Sequence, residues 1–233
     1  MMKDTIKAAD TGINNTLLII LLSVAIIILI YIAALLVRSY KKKSILSRLT
    51  PGIGGAIKLL RLEFGKNNVL TDIYLPMYNE KKVESYIYAD TIILAKSCII
   101  VCRLREEAGL IYCEDGFDWH QSARLRSGGT RETDFADPLE KNNTAIVALR
   151  RIFTKMQIEE PQIHGFVIFA SKSVRFSCER KCVMSLDDAY PLIKRLSRSN
   201  RLPRGSQSTF RKMILTQTVR KSVADSYNVK KLK

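Results

Sequence analysis

Asp90, Arg103 and Arg105 are the residues of this chain whose types and spacing come nearest to a chemical site. Asp90 sits in one apolar strand pattern, and the next one reads Cys98-Ile-Ile-Val-Cys-Arg-Leu-Arg105. Residues two apart on a strand share a face, so both guanidiniums project together. One carboxylate with two arginines makes either a structural salt bridge or an anion-binding pocket. It does not make a metal site, because a guanidinium only donates and cannot coordinate a cation. Tyr86 and Tyr88, at strand spacing, serve either base stacking or, as is more common, sheet packing. Cys178-x3-Cys182 lacks the second ligand pair a zinc site needs, and neither His120 nor His164 stands at ligand spacing to it. Cys98 and Cys102 lie in an apolar run and read as small core residues, and Trp119 as a core or edge anchor. No metal and no cofactor is expected from these residues.

Such side chains need elements to hold them. A glycine-rich turn, Pro51-Gly-Ile-Gly-Gly55, lacks the Gly-Lys-Ser/Thr ending of a phosphate loop. It leads into a helix from Ala56 to Phe64, with Ile57, Leu60 and Phe64 on one face. Val69 to Leu75 reads as a strand, and Ser85 to Leu104 as two strands around an Ala95-Lys-Ser97 break. Near-continuous apolar runs of that kind suit strands covered on both faces. Leu110 to Cys113 is a further short strand, whereas the polar residues 120–136, with Gly128-Gly129, read as a loop. Asp137-Pro138-Leu139-Glu140 marks a helix start, with a cap, a first-turn proline and an acid at the capping-box position. That helix runs to Met156. Ile163 to Ala170 and Lys181 to Met184 are strands, Ser185 caps a helix towards Ser197, and Ser208 to about Asp225 is a last basic helix. The order predicts an α/β domain with a central mixed β-sheet flanked by helices.

The formal charge of +16 is concentrated in two places. Residues 38–48 hold five cations and no acid, and residues 194–233 hold twelve Lys or Arg against Asp225 alone. Everything else sums to zero, so this is a near-neutral domain between cationic segments. Residues 17–37 form an uncharged apolar run, LLIILLSVAIIILIYIAALLV. At ~1.5 Å per residue a helix of that length spans about 31 Å, enough for a bilayer core of ~30 Å. A signal peptide has a shorter apolar stretch and a small-residue cleavage site. The cations after the run, Arg38, Lys41, Lys42 and Lys43, outweigh the balanced residues before it, which predicts an N-terminus outside and a cytoplasmic C-terminal part. The expected organisation is a short outer segment (1–16), a single transmembrane helix (17–37), a basic juxtamembrane segment (38–50), a domain (51–193) and a basic tail (194–233). Cytosolic placement keeps the five cysteines reduced.

Several short motifs fall in one order. Gly52-x-x-Gly55-Ala56 opens the first helix, Ala89-Asp90 precedes the strand ending Arg103-Leu-Arg105, and Gly109 follows. Trp119, Asp137-Pro138-Leu-Glu-Lys-Asn142 and Gly165-Phe-Val-Ile-Phe169 complete the series. This order resembles the nuclease-related domain (NERD) family across roughly residues 51–170. The resemblance implies a restriction-endonuclease-like fold in which an Asp on one strand and Glu-x-Lys on the next hold Mg²⁺ for phosphodiester cleavage. A Glu from a Gly-x-x-Gly-Glu helix start completes the family's site, and many members carry a membrane span. Here Asp90 matches the Asp, Arg103 stands where the Glu belongs, Arg105 where the Lys belongs, and Ala56 replaces the helix Glu. Lys141 falls where members often carry a Gln. The resemblance therefore makes Asp90 and Arg105 the catalytic positions of a degenerate site. Carboxylates relocated to Glu107 or Glu63 would restore a Mg²⁺-dependent nuclease, although both read first as solvated surface acids.

The expected function is that of a membrane-anchored, catalytically degenerate nuclease-fold module that binds nucleic acid or a protein partner. An active nuclease is the first alternative, and an adaptor on anionic lipid the second. Arg195, Arg198, Arg201, Arg204, Arg211, Lys212, Arg220 and Lys221 are the expected DNA- or RNA-binding residues, since clustered basic charge is the usual footprint of such binding. Arg38 and Lys41 to Lys43 are expected along the lipid headgroups.

Overall fold

A computed structural model describes residues 21–34, 52–79, 82–114, 118–125, 127–177, 180–199, 203 and 205–231. The chain divides into two compact units, Met1–Leu49 and Thr50–Lys233. In the first unit, residues 21–34 form a helix (α1) that is exposed along its whole length. They lie inside the apolar run expected to span a membrane; the ends of that run fall outside the described residues. Among the described residues no helix is long and apolar enough to cross a bilayer. Arg38 and Lys41 to Lys43 lie outside the described residues.

The second unit opens with α2 (Ile53–Phe64), which leads through the single turn Lys66–Asn68 into a long hairpin, β1 (Val69–Asn79) and β2 (Lys82–Leu94). β3 (Ile99–Arg105) follows, then the short strands β4 (Gly109–Glu114), β5 (Asp118–Arg124) and β6 (Thr130–Phe135). After α3 (Pro138–Lys155) come β7 (Ile163–Phe169), β8 (Val174–Phe176), β9 (Val183–Ser185), α4 (Leu186–Leu196), α5 (Ser206–Gln217) and α6 (Lys221–Lys231).

These strands make two sheets where one was expected. The larger runs β1-β2-β3-β7-β9 and the smaller β6-β5-β4-β8. β1, β2 and β3 pair antiparallel, while β3, β7 and β9 pair parallel, so the larger sheet is mixed. A parallel pair cannot be closed by a tight turn, and β4 to β6 together with α3 form the long β3–β7 connection. The expected loop at 120–136 is in fact the β5–β6 hairpin, turning through Gly128 and Gly129 at φ 88° and 86°. Its strands are polar because only one face is covered. Trp119 and Phe135 point inward onto Phe169, while almost all of β6 is exposed.

Three apolar clusters hold the unit. α3 and α5 cover one face of the larger sheet through Leu149, Ile152, Phe153, Phe210 and Ile214. α2 and α4 cover the other through Ala56, Leu60, Ala189 and Ile193, and the smaller sheet packs Ile111 and Trp119 on Val167 and Phe169. α3 starts as its sequence demands, with Asp137 accepting the Leu139 N–H at 2.8 Å. It lies so close to β7 that a Cβ on Gly165 would come within 2.5 Å of Ile146 Cδ1. Asn142 beside it, buried, donates to the Val101 carbonyl at 3.3 Å.

The boundary expected at residue 193 does not separate a tail. Phe210, Met213 and Ile214 of α5 are buried in the main core, and Phe210 meets Phe153 edge-on at 5.3 Å. The single helix expected from Ser208 to Asp225 is broken where Val219 forms an antiparallel bridge with Tyr74 on the outer edge of β1. α6 then reaches the opposite edge of the same hairpin. Asn228 accepts from the Tyr86 N–H at 3.0 Å and donates to the Tyr86 carbonyl at 3.1 Å, taking the place of a strand partner.

Candidate functional site

The sheet sets the site by coming apart. β2 and β3 pair from Leu94–Ile99 to Thr91–Cys102, and there the ladder stops. One step further, Asp90 and Arg103 face the opening between the two strands. The Asp90 carboxylate fills it: Oδ2 accepts the Leu104 N–H at 3.1 Å, supplying the acceptor that a continued ladder would have offered. Arg103 Nε lies 3.2 Å from the same oxygen, without the N–H aligned for a hydrogen bond, so that contact is coulombic. The guanidinium also lies 5.5 Å from the centre of the Tyr88 ring.

A second carboxylate stands here that sequence reading missed. β1 pairs Thr71 with Thr91 and Ile73 with Ala89, which sets Asp72 across from Asp90. Asp72 holds φ 55°, a left-handed conformation that costs a non-glycine residue free energy. It accepts the Tyr88 hydroxyl at 2.7 Å. Burial raises the Asp90 carboxyl above its ordinary range, opposed by Arg103, the Leu104 N–H and the Tyr88 hydroxyl and assisted by Asp72. Tyr88 is also raised, first by burial and then by its bond to Asp72.

Arg105 does not join this group. It forms a two-point ion pair with Glu107, Nε to Oε2 at 3.0 Å and a second guanidinium nitrogen to Oε1, and lies 4.8 Å from the centre of the Phe135 ring. The expected three-residue cluster is therefore two separate pairs. Neither acid considered as a relocated ligand is a solvated surface group. Glu107 is held by Arg105, and Glu63 by the Tyr190 hydroxyl at 2.5 Å and Lys194 Nζ at 3.6 Å. Glu106, also missed, accepts the Ile53 N–H at 3.1 Å and so caps α2, which has no capping side chain of its own. The signal was an acid just after a strand and a glycine-rich helix start lacking a cap.

Ala56 is fully buried among apolar residues and offers no donor atom, and Lys141 is exposed. The residues present do not fit a divalent cation. Hard cations take several oxygen ligands, and the space beside Asp90 Oδ2 is taken by Arg103. No group of three or more His, Cys, Asp or Glu side chains suited to a metal exists among the described residues. Cys98 and Cys102 are buried, Cys182 is exposed, and Cys178 lies outside the described residues. Tyr86 meets Tyr227 edge-on at 5.3 Å and Tyr88 meets Tyr74 at 5.2 Å, so both pack against neighbouring rings.

The expected nucleic-acid cations are not one tail surface. Arg195 and Arg198 are exposed at the end of α4, Lys212 is exposed and Arg211 half-buried on α5, and Arg220 and Lys221 are exposed at the corner into α6. Arg201 and Arg204 lie outside the described residues.

Residues 55–170 match the family model described as the nuclease-related domain, NERD. No curated protein matches the chain, and no solved structure does.

Proposed function

We propose, for a chain that belongs to the nuclease-related domain family across residues 55–170, that the fold serves here as a binding module without phosphodiesterase chemistry. Arg103 carries this reading. Its guanidinium is 3.2 Å from the Asp90 carboxylate, and an arginine stays charged at any physiological pH, so it competes permanently with a metal for that oxygen. The partner of the module is nucleic acid, DNA or RNA, held with little sequence preference through exposed cations of residues 194–233. A protein partner is the other candidate occupant. The module sits at the cytoplasmic face of the cell membrane, anchored by residues 17–37, whose length and flanking charge support that placement. Arg38 and Lys41 to Lys43 then lie along anionic headgroups, worth ~1 kcal/mol each.

The purified full chain, given Mg²⁺ or Mn²⁺ with linear, circular and single-stranded DNA and with RNA, is expected to cleave none of them. Turnover that disappears in Asp90→Ala overturns the reading. Asp72 favours one alternative, a nuclease with a relocated ligand, since it places a second carboxylate across from Asp90. That alternative requires turnover to be lost in Asp72→Asn as well.

A further inference from the structure

We propose that the end of the larger sheet at the β2–β3 turn is a binding surface for the phosphodiester backbone of nucleic acid, built from Lys96 together with Arg195 and Arg198. This rests on the nucleic-acid reading above and locates it. Three sequence-distant segments meet there. The turn closes through the Ala95 N–H on the Cys98 carbonyl at 3.0 Å. Ser97, buried, then donates its hydroxyl to the Leu196 carbonyl at 2.6 Å, pinning the last turn of α4 to the β-turn. On the other face, Gln207 Nε2 donates to the Leu94 carbonyl at 2.6 Å and brings in the start of α5.

The cations follow from that construction. Residues 91–100 are buried apart from Lys96, which projects from the turn. Arg195 and Arg198 are exposed on the segment that Ser97 holds, where the Arg198 N–H bonds to the Arg195 carbonyl. Lys66, also exposed, precedes the Val69–Ile93 pair at the same sheet end. Neighbouring acids do little to cancel this charge. Glu63 is engaged by Lys194 and Tyr190, and Glu160 by Arg150 at 2.9 Å, while Glu159 remains exposed. A cluster of arginine forks and lysine ammonium groups on rigid elements, with little opposing charge, suits a polyanion recognised by its phosphates and not by its bases.

This surface is separate from the family's site. Asp90 lies four strand steps from Leu94, where β2 ends, so at ~3.3 Å per strand residue about 13 Å of strand separates it from the turn that carries Lys96. It is also remote from Gly52, where the chain joins α2. The twelve residues of α2 separate the two ends by about 18 Å. Lipid headgroups present the same phosphate chemistry, and the test distinguishes the two sources.

The test compares two charge reversals of equal size in the full chain. Lys96→Glu, Arg195→Glu and Arg198→Glu together alter this end. Arg131→Glu, Lys172→Glu and Arg175→Glu, also exposed, alter the neighbourhood of the smaller sheet. Binding to a labelled duplex of about 20 base pairs is followed by anisotropy as salt rises from ~50 to ~200 mM, where counterion release dominates. The first variant is expected to lose at least tenfold in affinity and to flatten the salt slope by about 3, roughly 0.9 per phosphate contact. The second should change affinity less than threefold, and thermal melting should show both folded. Equal losses in the two variants, or none in the first, overturn this location and leave the nucleic-acid reading standing. A wild-type chain that does not bind the duplex overturns both. If the first variant instead loses binding to soluble dihexanoylphosphatidylserine while its duplex affinity is unchanged, the surface is a lipid site and the proposal fails.

Discussion

The two ends of the β2–β3 pair treat charge in opposite ways. Where the strands part, Asp90 and Arg103 are largely buried and committed to each other, with side-chain exposures of 14% and 17%. At the turn, Lys96, Arg195 and Arg198 stand in solvent around a buried serine. A charge taken out of water must be answered inside the protein, and once answered it is structural. A charge left in water keeps its capacity to meet a ligand. Similar residue types therefore stiffen one end of the hairpin and leave the other available.

Mutations test that division, the largest effect first. The largest concerns α5, whose start forms part of the turn end. Phe210→Ala should cost about 4 kcal/mol, the range for a large buried aromatic, read as a shift of the urea midpoint. A cost below about 1 kcal/mol would mean that residues 206–217 are a detachable tail. At the parting end, Asp90→Ala leaves Arg103 without a partner and the Leu104 N–H without an acceptor, and should cost about 3 kcal/mol. Lys96→Ala at the turn should change stability by less than about 0.5 kcal/mol, as surface substitutions do.

Asp90 also gives the two ends different pH profiles. Its folded pKa is raised, chiefly by burial, so the folded chain holds that proton more tightly than the unfolded chain. The group is then stability-neutral below the ordinary aspartate range and lowers stability as pH climbs through its folded value. Asp90→Asn removes that loss, so the variant should gain on wild type over the interval that begins at the ordinary aspartate value of about 4 and runs upward in pH. A variant that falls behind over this interval would show that attraction to Arg103 outweighs burial. Between the Asp90→Ala and Lys96→Ala effects falls Arg105→Lys, which keeps the charge opposite Glu107 but loses the two-point fork and the flat guanidinium over Phe135. About 1 kcal/mol is expected in the same urea measurement.

What could be read in the residues depended on whether their signal was local. Asp137-Pro138 announces α3 because a cap is a contact between neighbours in sequence, and the apolar runs of β2, β3 and β7 announce buried strands. The β5–β6 hairpin was hidden because its exposed face is polar and only Trp119 and Phe135 report the covered one. Asp72 and Glu106 were hidden because their roles come from cross-strand register and from the start of a helix distant in sequence. In residues 194–233 the charge count masked a plain stripe, Phe210, Met213 and Ile214 at helical spacing, which places α5 in the core. The pairing of Arg105 with Glu107 in place of Asp90 follows from the parting of β2 and β3, which no local pattern encodes.

Asn228 covers a strand edge that the larger sheet leaves open. β2 outruns β3 by several residues, and a strand with unpaired backbone groups is a template on which other chains can stack. The Asn228 side chain carries the same amide group as the backbone, so it satisfies Tyr86 as a strand would, but it has no second edge to pass on. The register shift at Met77/Tyr78 further spoils the hairpin tip as a docking edge. α6 thus closes one position of an open sheet edge, and a chain cut before α6 leaves the Tyr86 N–H and carbonyl open to another strand.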